Sequence, residues 1–243
     1  MTTVTPGQAV LDNAIWQSLA GPHAHLAETH GLAARYPDDV AQFYGLADRD
    51  DPQAWADLAD LAASPPSGSR AGGSGLGAEV AVSGSPPRTH PGWTLVDEIP
   101  GVQLIDEGLQ AEPFAEAVRL TAADVPEILD LVDRTRPGPF RPRTIALGTY
   151  LGVRRDGALV AVAGERLHPP GWTEISAVCT DPAFRGQGLA TALVRAVAHG
   201  IRERGETPFL HTSAANTPAI RLYESLGFEL RRQTTFARYR LTG

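Results

Sequence analysis

The sequence predicts an α/β fold built on a mixed (α+β) sheet in its C-terminal half, preceded by a smaller, degenerate α/β N-terminal domain. Three observations carry this. From about residue 116, patterns alternate as helix, hairpin, strand, helix, strand, helix, strand, strand. The run "RRDGAL" sets Asp156-Gly157 between two apolar segments, the strongest short-range hairpin signal. Before that half lies "AASPPSGSRAGGSGLGAEVAVSGSPPRTHPG", residues 62–92, dense in Pro, Gly and Ser, which oppose helix and strand interiors. The expected boundaries are 1–112 for the small unit and 116–243 for the mixed-sheet domain.

Taken in order, "DPQAWADLADLAA" puts Trp55, Leu58, Ala59 and Ala62 at helical spacing, with Asp51 as N-cap and Pro52 first inside. Within 62–92 only "EVAV" at 79–82 has strand character. "GWTLVDEIPGVQLID" predicts two short strands around Pro100-Gly101. "TAADVPEILDLVDRT" is an amphipathic helix with Val125, Ile128, Leu129 and Val132 on one face. "TYLGVRRDGALVAVAGERL" is the hairpin and "WTEISAVCT" the next strand. Residues 189–204 form a helix, "TPFLHTS" a strand, and "TPAIRLYESLGF" a helix with Thr217 as N-cap and Pro218 inside it. "FELRRQ" and "TFARYRL" close the chain as two further strands.

A length of 243 residues at 42% hydrophobic content allows a packed core in one or two domains. The single cysteine, Cys179, permits no internal disulfide, and a reducing, cytoplasmic setting is expected. All 21 basic residues are Arg, which excludes a Lys Schiff base or a Walker-type Lys. No apolar run nears the roughly 18 residues of a membrane span, and "MTTVTPGQAVLDNA" lacks a signal-peptide pattern, so no membrane partner is expected. Residues 1–115 hold 4 Arg against 15 acids, a net of −11, while 116–243 hold 17 against 13, a net of +4. The C-terminal half is therefore the better host for an anion. The overall charge of −7 and the strand-like alternation of "LRRQTTFARYRL" speak against nucleic-acid binding. His23, His25 and His30 are spaced poorly for a metal, and none is expected.

The most informative stretch is "SAVCTDPAFRGQGLATALVRAVAHGI", 176–201. A strand hands over to a helix through two glycines, with no acidic residue in the helix's first turn. A helix start exposes unpaired N–H groups and partial positive charge. Glycines let an anion approach them, and Arg185 adds a fixed cation. An Asp or Glu there would help the helix but repel a phosphate, so Arg185-Gly186-Gln187-Gly188-Leu189-Ala190 reads as an anion-receiving turn. GxxxxGK[ST] is absent, and GxGxxG fails at Thr191.

At this point residues 116–243 resemble the GNAT superfamily of acyl-CoA-dependent N-acyltransferases. Arg185, Gly188 and Ala190 match its turn, and Asn216, Tyr223, Gly227 and Phe228 in "NTPAIRLYESLGF" match its second signature. In look the segments are closest to the glycine N-acyltransferase-like branch. The resemblance implies acetyl-CoA as acyl donor, with no metal. It implies that the backbone of Val178, Cys179 and Thr180 pairs with the pantetheine arm, that residues from Arg185 through Gly186, Gln187, Gly188, Leu189 and Ala190 to Thr191 hold the pyrophosphate, that Asn216 touches the cofactor arm, and that Tyr223 faces the thioester sulfur.

The implied chemistry is attack of a primary amine on the thioester in a ternary complex, the acceptor being a small molecule or a peptide N-terminus. A phenol, neutral at pH 7, suits protonation of the departing thiolate, which points to Tyr223 as acid. For the base, Glu174 stands where several relatives place a catalytic Glu, and His211 where ribosomal-protein alanine acetyltransferases carry theirs. Glu165 is a third candidate, and a water chain could replace all three. Cys179 reads as a small buried hydrophobe. The Arg-rich loop "RTRPGPFRPRT", 134–144, is expected to line the acceptor site and to suit a carboxylate. The alternative reading is a non-catalytic CoA-binding or sensing module on the same fold.

Overall fold

A computed structural model describes residues 6–65, 67–68, 75–84 and 88–243, so parts of the 62–92 stretch and of the N-terminal segment read above lie outside the described residues. Two compact units emerge. One comprises Met1–Val102, His168–Pro170 and Gln233–Gly243, the other Gln103–Leu167 and Gly171–Arg232. The chain's last residues therefore join its N-terminal part, and residues 103–112 go with the mixed-sheet unit.

In the first unit, helix α1 (Ala14–Leu19) precedes a small antiparallel sheet, β1 (Glu28–His30), β2 (Ala33–Arg35) and β3 (Tyr44–Leu46), in that order. Helix α2 (Pro52–Ala63) starts as its sequence demands. The Asp51 side chain accepts from the backbone N–H of Gln53, and Pro52 opens the first turn. Its Trp55, Leu58 and Leu61 pack on Val80 and Val82 of β4 (Glu79–Gly84), on Trp93 at the start of β5 (Trp93–Asp106), and on Tyr239. Strand β5 is one 14-residue element rather than two. Gly101 lets it pass Pro100, because a Cβ there would lie 2.5 Å from the Phe236 ring.

The second unit adds β6 (Val118–Arg119), α3 (Val125–Thr135), β7 (Tyr150–Arg155), β8 (Ala158–Glu165), β9 (Trp172–Thr180), α4 (Leu189–Glu203), β10 (Thr207–Ser213), α5 (Thr217–Leu226) and β11 (Phe228–Leu241). Its strands lie in the order β11-β5-β10-β9-β8-β7-β6, antiparallel from β6 to β9 and parallel between β9 and β10. This is the expected mixed sheet. Asp156 (φ 50°) and Gly157 (φ 83°) make the tight turn between β7 and β8, as a two-residue hairpin loop requires. Every residue of β8 after Ala158 is buried, which calls for cover on both faces. Helix α3 lays Ile128 and Leu131 against Val162 and Cys179, and α4 also packs on β8 and β9.

Two local expectations are corrected. "FELRRQTTFARYRL" forms one 14-residue strand, not two. Its polar centre is carried through because Thr235 pairs with Gly84 and the Thr234 hydroxyl donates to the Gly84 carbonyl at 2.9 Å, both within the first unit. The N-cap of α5 is Asn216, whose side chain accepts from the Ala219 N–H, and Thr217 is already the first helical residue.

Tyr150 and Gly164 face each other across β7 and β8, and a Cβ on Gly164 would fall 2.2 Å from the Tyr150 ring. Gly164→Ala is therefore expected to lower stability by about 1–3 kcal/mol through displacement of that ring, read as a fall in the urea midpoint at constant slope.

Candidate active site

The site begins with a defect in β9. Its pairing with β8 slips between Val162 and Gly164, and Ala177 sits at φ +53°. An L-residue there is strained by roughly 1–2 kcal/mol, the signature of a bulge that re-aims a strand. On the other side, β9 pairs with β10 only from Trp172 opposite Thr207 to Glu174 opposite Phe209. Strand β9 continues to Thr180 and β10 to Ser213, so beyond Glu174 the two strands part. The backbone of Cys179 and Thr180 keeps β8 as partner on one side, with Val178 in the slipped stretch before them, and β9 faces the gap on the other.

Where the gap ends, Gly186 (φ 78°) and Gly188 (φ 76°) turn the chain into α4. Nothing lies within 4 Å of where their Cβ atoms would be, so glycine is needed here for conformation and not for room. No side chain caps α4 and its first turn carries no acid. Its leading N–H groups thus face the gap with the positive end of the helix dipole.

A cavity of about 490 Å³ lies here. It is lined by ten of the eleven residues expected to hold the donor: Val178, Cys179, Thr180, Arg185, Gly186, Gly188, Leu189, Ala190, Thr191 and Asn216. Gln187 is exposed and does not line it. Tyr223 does, from α5. Thr135, Arg136 and Pro137 line the same cavity, so the start of the Arg-rich 134–144 loop belongs to this wall rather than to a separate acceptor pocket. The Thr180 Oγ1 is buried there without a hydrogen-bond partner, at a cost of order 1–3 kcal/mol unless a ligand meets it. These donors suit a long, anionic, amide-bearing ligand.

Tyr223 is placed by the second signature. Gly227 ends α5 at φ +102°, and its own Cβ would lie 2.5 Å from the backbone of Gly108. This close approach docks the turn, and the N–H groups of Glu107 and Gly108 both donate to the Gly227 carbonyl. Phe228 then sets its ring edge-on to Tyr223 at 6.0 Å. Burial pushes the Tyr223 hydroxyl up to about 12. Asn216 caps α5 with Oδ1 and donates Nδ2 to Thr212 Oγ1 at 3.3 Å.

Glu174 and His211 do not line that cavity. They belong to a polar row that takes one side chain from each of several neighbouring strands. Arg166, just after β8, holds Glu174 through Nε at 2.7 Å and Nη2 at 2.6 Å. Glu174 also meets His211 Nδ1 at 2.7 Å. His211 Nε2 lies 2.9 Å from Gln103 Nε2 on β5, and Arg231 on β11 donates to Gln103 Oε1 at 2.7 Å. Burial alone would raise the Glu174 carboxyl. The Arg166 charge, the hydrogen bonds from Arg166 and His211, and the charge His211 carries when protonated outweigh it and hold the group at about 2. Beside this row the Tyr150 hydroxyl is buried without a hydrogen-bond partner, and its ionisation is pushed up by burial. Glu165 is buried and accepts from the Thr149 N–H and from Arg204, which leaves it a structural role. Burial likewise raises the Cys179 thiol, as suits an inert packing residue.

Gln103, Arg231, Arg166 and Tyr150 were not singled out from the sequence. They are single polar residues in apolar strands or just after one, and only strand order brings them together. Of the N-terminal histidines, His23 is buried against the Tyr36 hydroxyl at 2.8 Å and His30 lies 3.4 Å from Asp60. Among the described residues no group of three or more His, Cys, Asp or Glu is placed to hold a metal ion, and no helix is long and apolar enough to cross a membrane.

Comparison with known proteins adds the following. A family model described as FR47-like protein matches residues 150–237. Mycothiol acetyltransferase of Thermobispora bispora is 35% identical over 148 residues, 54% of this chain and 48% of its own length. N-alpha-acetyltransferase RimI of Mycobacterium tuberculosis is 36% identical over 100 residues, 39% of this chain and 60% of its own. This chain thus spans about half the length of those curated relatives. A crystal structure of a putative acetyltransferase from the GNAT family of Novosphingobium aromaticivorans is 37% identical and superposes with a TM-score of 0.83, covering 96% of this chain and 99% of that one.

The Glu174 carboxyl sets a pH window. It is held at about 2 in the fold against about 4.3 unfolded, so its contribution is complete above about pH 5 and is lost as pH falls toward 2. Glu174→Gln is expected to cost roughly 3 kcal/mol at pH 7 by stranding the Arg166 charge. It should also flatten the decline in urea midpoint between pH 5 and pH 2 relative to the unsubstituted protein.

Proposed function

The chain belongs to the GNAT family of acetyltransferases, and from that premise we propose that it transfers the acetyl group of acetyl-CoA directly to a primary amine. The observation that best supports this reading is the cleft itself. A bulge at Ala177 parts β9 from β10, and the resulting gap runs into an acid-free, uncapped helix start with Tyr223 on its wall.

In this reading the β9 backbone at Val178–Thr180 and the buried Thr180 hydroxyl bind the amide-bearing arm, and the turn from Arg185 to Thr191 binds the diphosphate. Acetyl-CoA supplies the activated acyl group and a thiolate leaving group. Tyr223, with its proton held to about 12, stays neutral at pH 7. A thiol ionises near about 8.5, so full transfer from the resting phenol is uphill. Tyr223 instead donates a hydrogen bond that strengthens as charge builds on the leaving atom, which is where such a bond accelerates the reaction.

His211 is the base. Glu174, ionised and bidentate to Arg166, is too acidic to take an amine proton and serves to orient the imidazole through Nδ1. Nε2 then carries the lone pair that accepts. Gln103 occupies that lone pair at rest, but a neutral hydrogen bond is worth only about 0.5–1.5 kcal/mol net, so an incoming amine can displace it. The acceptor is a small-molecule amine or a peptide N-terminus. The relatives named above act, by name, on mycothiol chemistry and on protein α-amines. The finer reading, kinship with the glycine N-acyltransferase-like branch, rests on the two motifs alone.

The engaged Nε2 also favours a second reading, a CoA-binding or sensing module without turnover. Thiol release from acetyl-CoA over an amine panel separates the two, since release with at least one amine supports the enzyme and binding without release supports the module. For the enzyme, Tyr223→Phe should lower turnover about 100-fold or more while leaving the calorimetric Kd for CoA unchanged. Full turnover in the Phe variant would remove Tyr223 from the chemistry. Gly188→Asp should weaken CoA binding, and an unaltered Kd would argue against the diphosphate at this helix start.

A further inference from the structure

Among the groups used above, the least explained is the pair Gln103 and Arg231. Gln103 lies on a strand 108 residues before His211 and Arg231 on the last strand, and their chemistry decides which ring nitrogen of His211 carries the proton. An amide side chain can face either way, but Arg231 is a donor only. Its Nη1 lies 2.7 Å from the Gln103 oxygen, which commits the Gln103 NH2 group to the other side, 2.9 Å from His211 Nε2. Two donors cannot share that contact. The imidazole nitrogen facing Gln103 must therefore be bare, and the ring's single proton must sit on Nδ1, 2.7 Å from the Glu174 carboxylate. Charged groups around the ring include Glu174 and Arg166 from the β9 and β8 side and Arg231 behind Gln103 on the β5 and β11 side, with the Phe209 ring edge-on at 5.6 Å.

We propose that Gln103, its amide direction locked by Arg231, is a positioning residue that keeps His211 neutral, with Nε2 bare and ready to accept a proton, against the pull of Glu174. The inference rests on the reading of His211 as the base. In the reaction the amine N–H bond breaks and its proton joins Nε2. The amine lone pair forms the bond to the acyl carbon, the thioester C–S bond breaks with its electron pair leaving on the sulfur that Tyr223 hydrogen-bonds, the N–H pair returns to nitrogen as its lone pair, and the imidazolium so formed is held by Glu174. Gln103 must yield its place at Nε2 to the amine for this to happen. Its contact with the ring therefore opposes premature protonation without blocking the substrate.

The test uses ¹⁵N NMR of the imidazole nitrogens in the full chain, with the His211 signals identified by their loss in His211→Gln. At pH 7 the unsubstituted protein should show Nδ1 protonated and Nε2 bare. Gln103→Glu keeps the shape but turns the facing donor into an acceptor. It should show both nitrogens protonated at pH 7, and the acid limb of its pH–rate profile should move up by about one unit or more, with activity recovering at higher pH. Gln103→Met, which removes the donor and keeps the bulk, guards against misfolding of the Glu variant. It should weaken the bare-Nε2 signature without adding a charge, with an unchanged melting profile. A bare Nε2 in Gln103→Glu would overturn the proposal. A charged ring in Gln103→Glu with an unmoved acid limb would overturn the assignment of His211 as base, and with it the catalytic sense of the relay, while CoA binding by the cleft would stand.

Discussion

The candidate site depends on one constraint, the bulge that places Ala177 at positive φ. A parallel pair of strands normally keeps its ladder along its whole length, because each unpaired backbone group in the interior is costly. Here the ladder between β9 and β10 stops at Glu174 and Phe209, and the backbone of β9 beyond it is offered to a cleft instead of a strand. Without the bulge there would be no edge for a ligand to join. The strain at Ala177 is tolerated because β8, buried throughout and packed under two helices, pins β9 on its other side.

The same parting of strands sorts the polar groups. At the end of the β9–β10 ladder, Glu174 and His211, the latter two residues past the last pair, are locked with Arg166 into a buried charged row. Pairs of this kind add little net stability, since desolvation offsets most of their attraction, but removing one partner strands the other. Their value is in fixing orientation. On the side where the strands diverge, the groups are fewer and less satisfied. They are the Thr180 hydroxyl, the leading N–H groups of α4 and the Tyr223 phenol, each directed at a cleft of about 490 Å³. The cleft is the less satisfied of the two regions, as expected of a surface that meets a ligand.

Local patterns made much of this legible. The Asp156-Gly157 hairpin, the Asp51 cap of α2, the amphipathic faces of α3 and α4 and the acid-free Gly186-Gln187-Gly188 turn are each written within a few consecutive residues, and each forms where those residues predict. Errors arose where a tertiary partner overrides a local break. Pro100-Gly101 reads as a turn, yet β5 runs through it because Gly101 accepts the Phe236 ring against its backbone. The sequence breaks at Thr234, between "FELRRQ" and "TFARYRL", yet the chain stays extended there because β4 pairs with the residues that follow. The end of the chain, read as the close of the C-terminal domain, packs within the N-terminal compact unit.

By itself the sequence determined the mixed-sheet class, the acid-free glycine turn into α4 and the placing of Tyr223 on a helix closed by Gly227, because these are set by glycine dihedrals, caps and periodicity acting over one or two turns. Only the tertiary structure decided where β9 and β10 part, which residues beyond the motifs share the cleft, and how His211 is held. Gln103 reaches His211, 108 residues away, and meets Arg231 because the strand order β11-β5-β10 seats β5 between the strands that carry them. The direction of a single amide, and so the place of a single proton, follows from that order and from no local pattern in the chain.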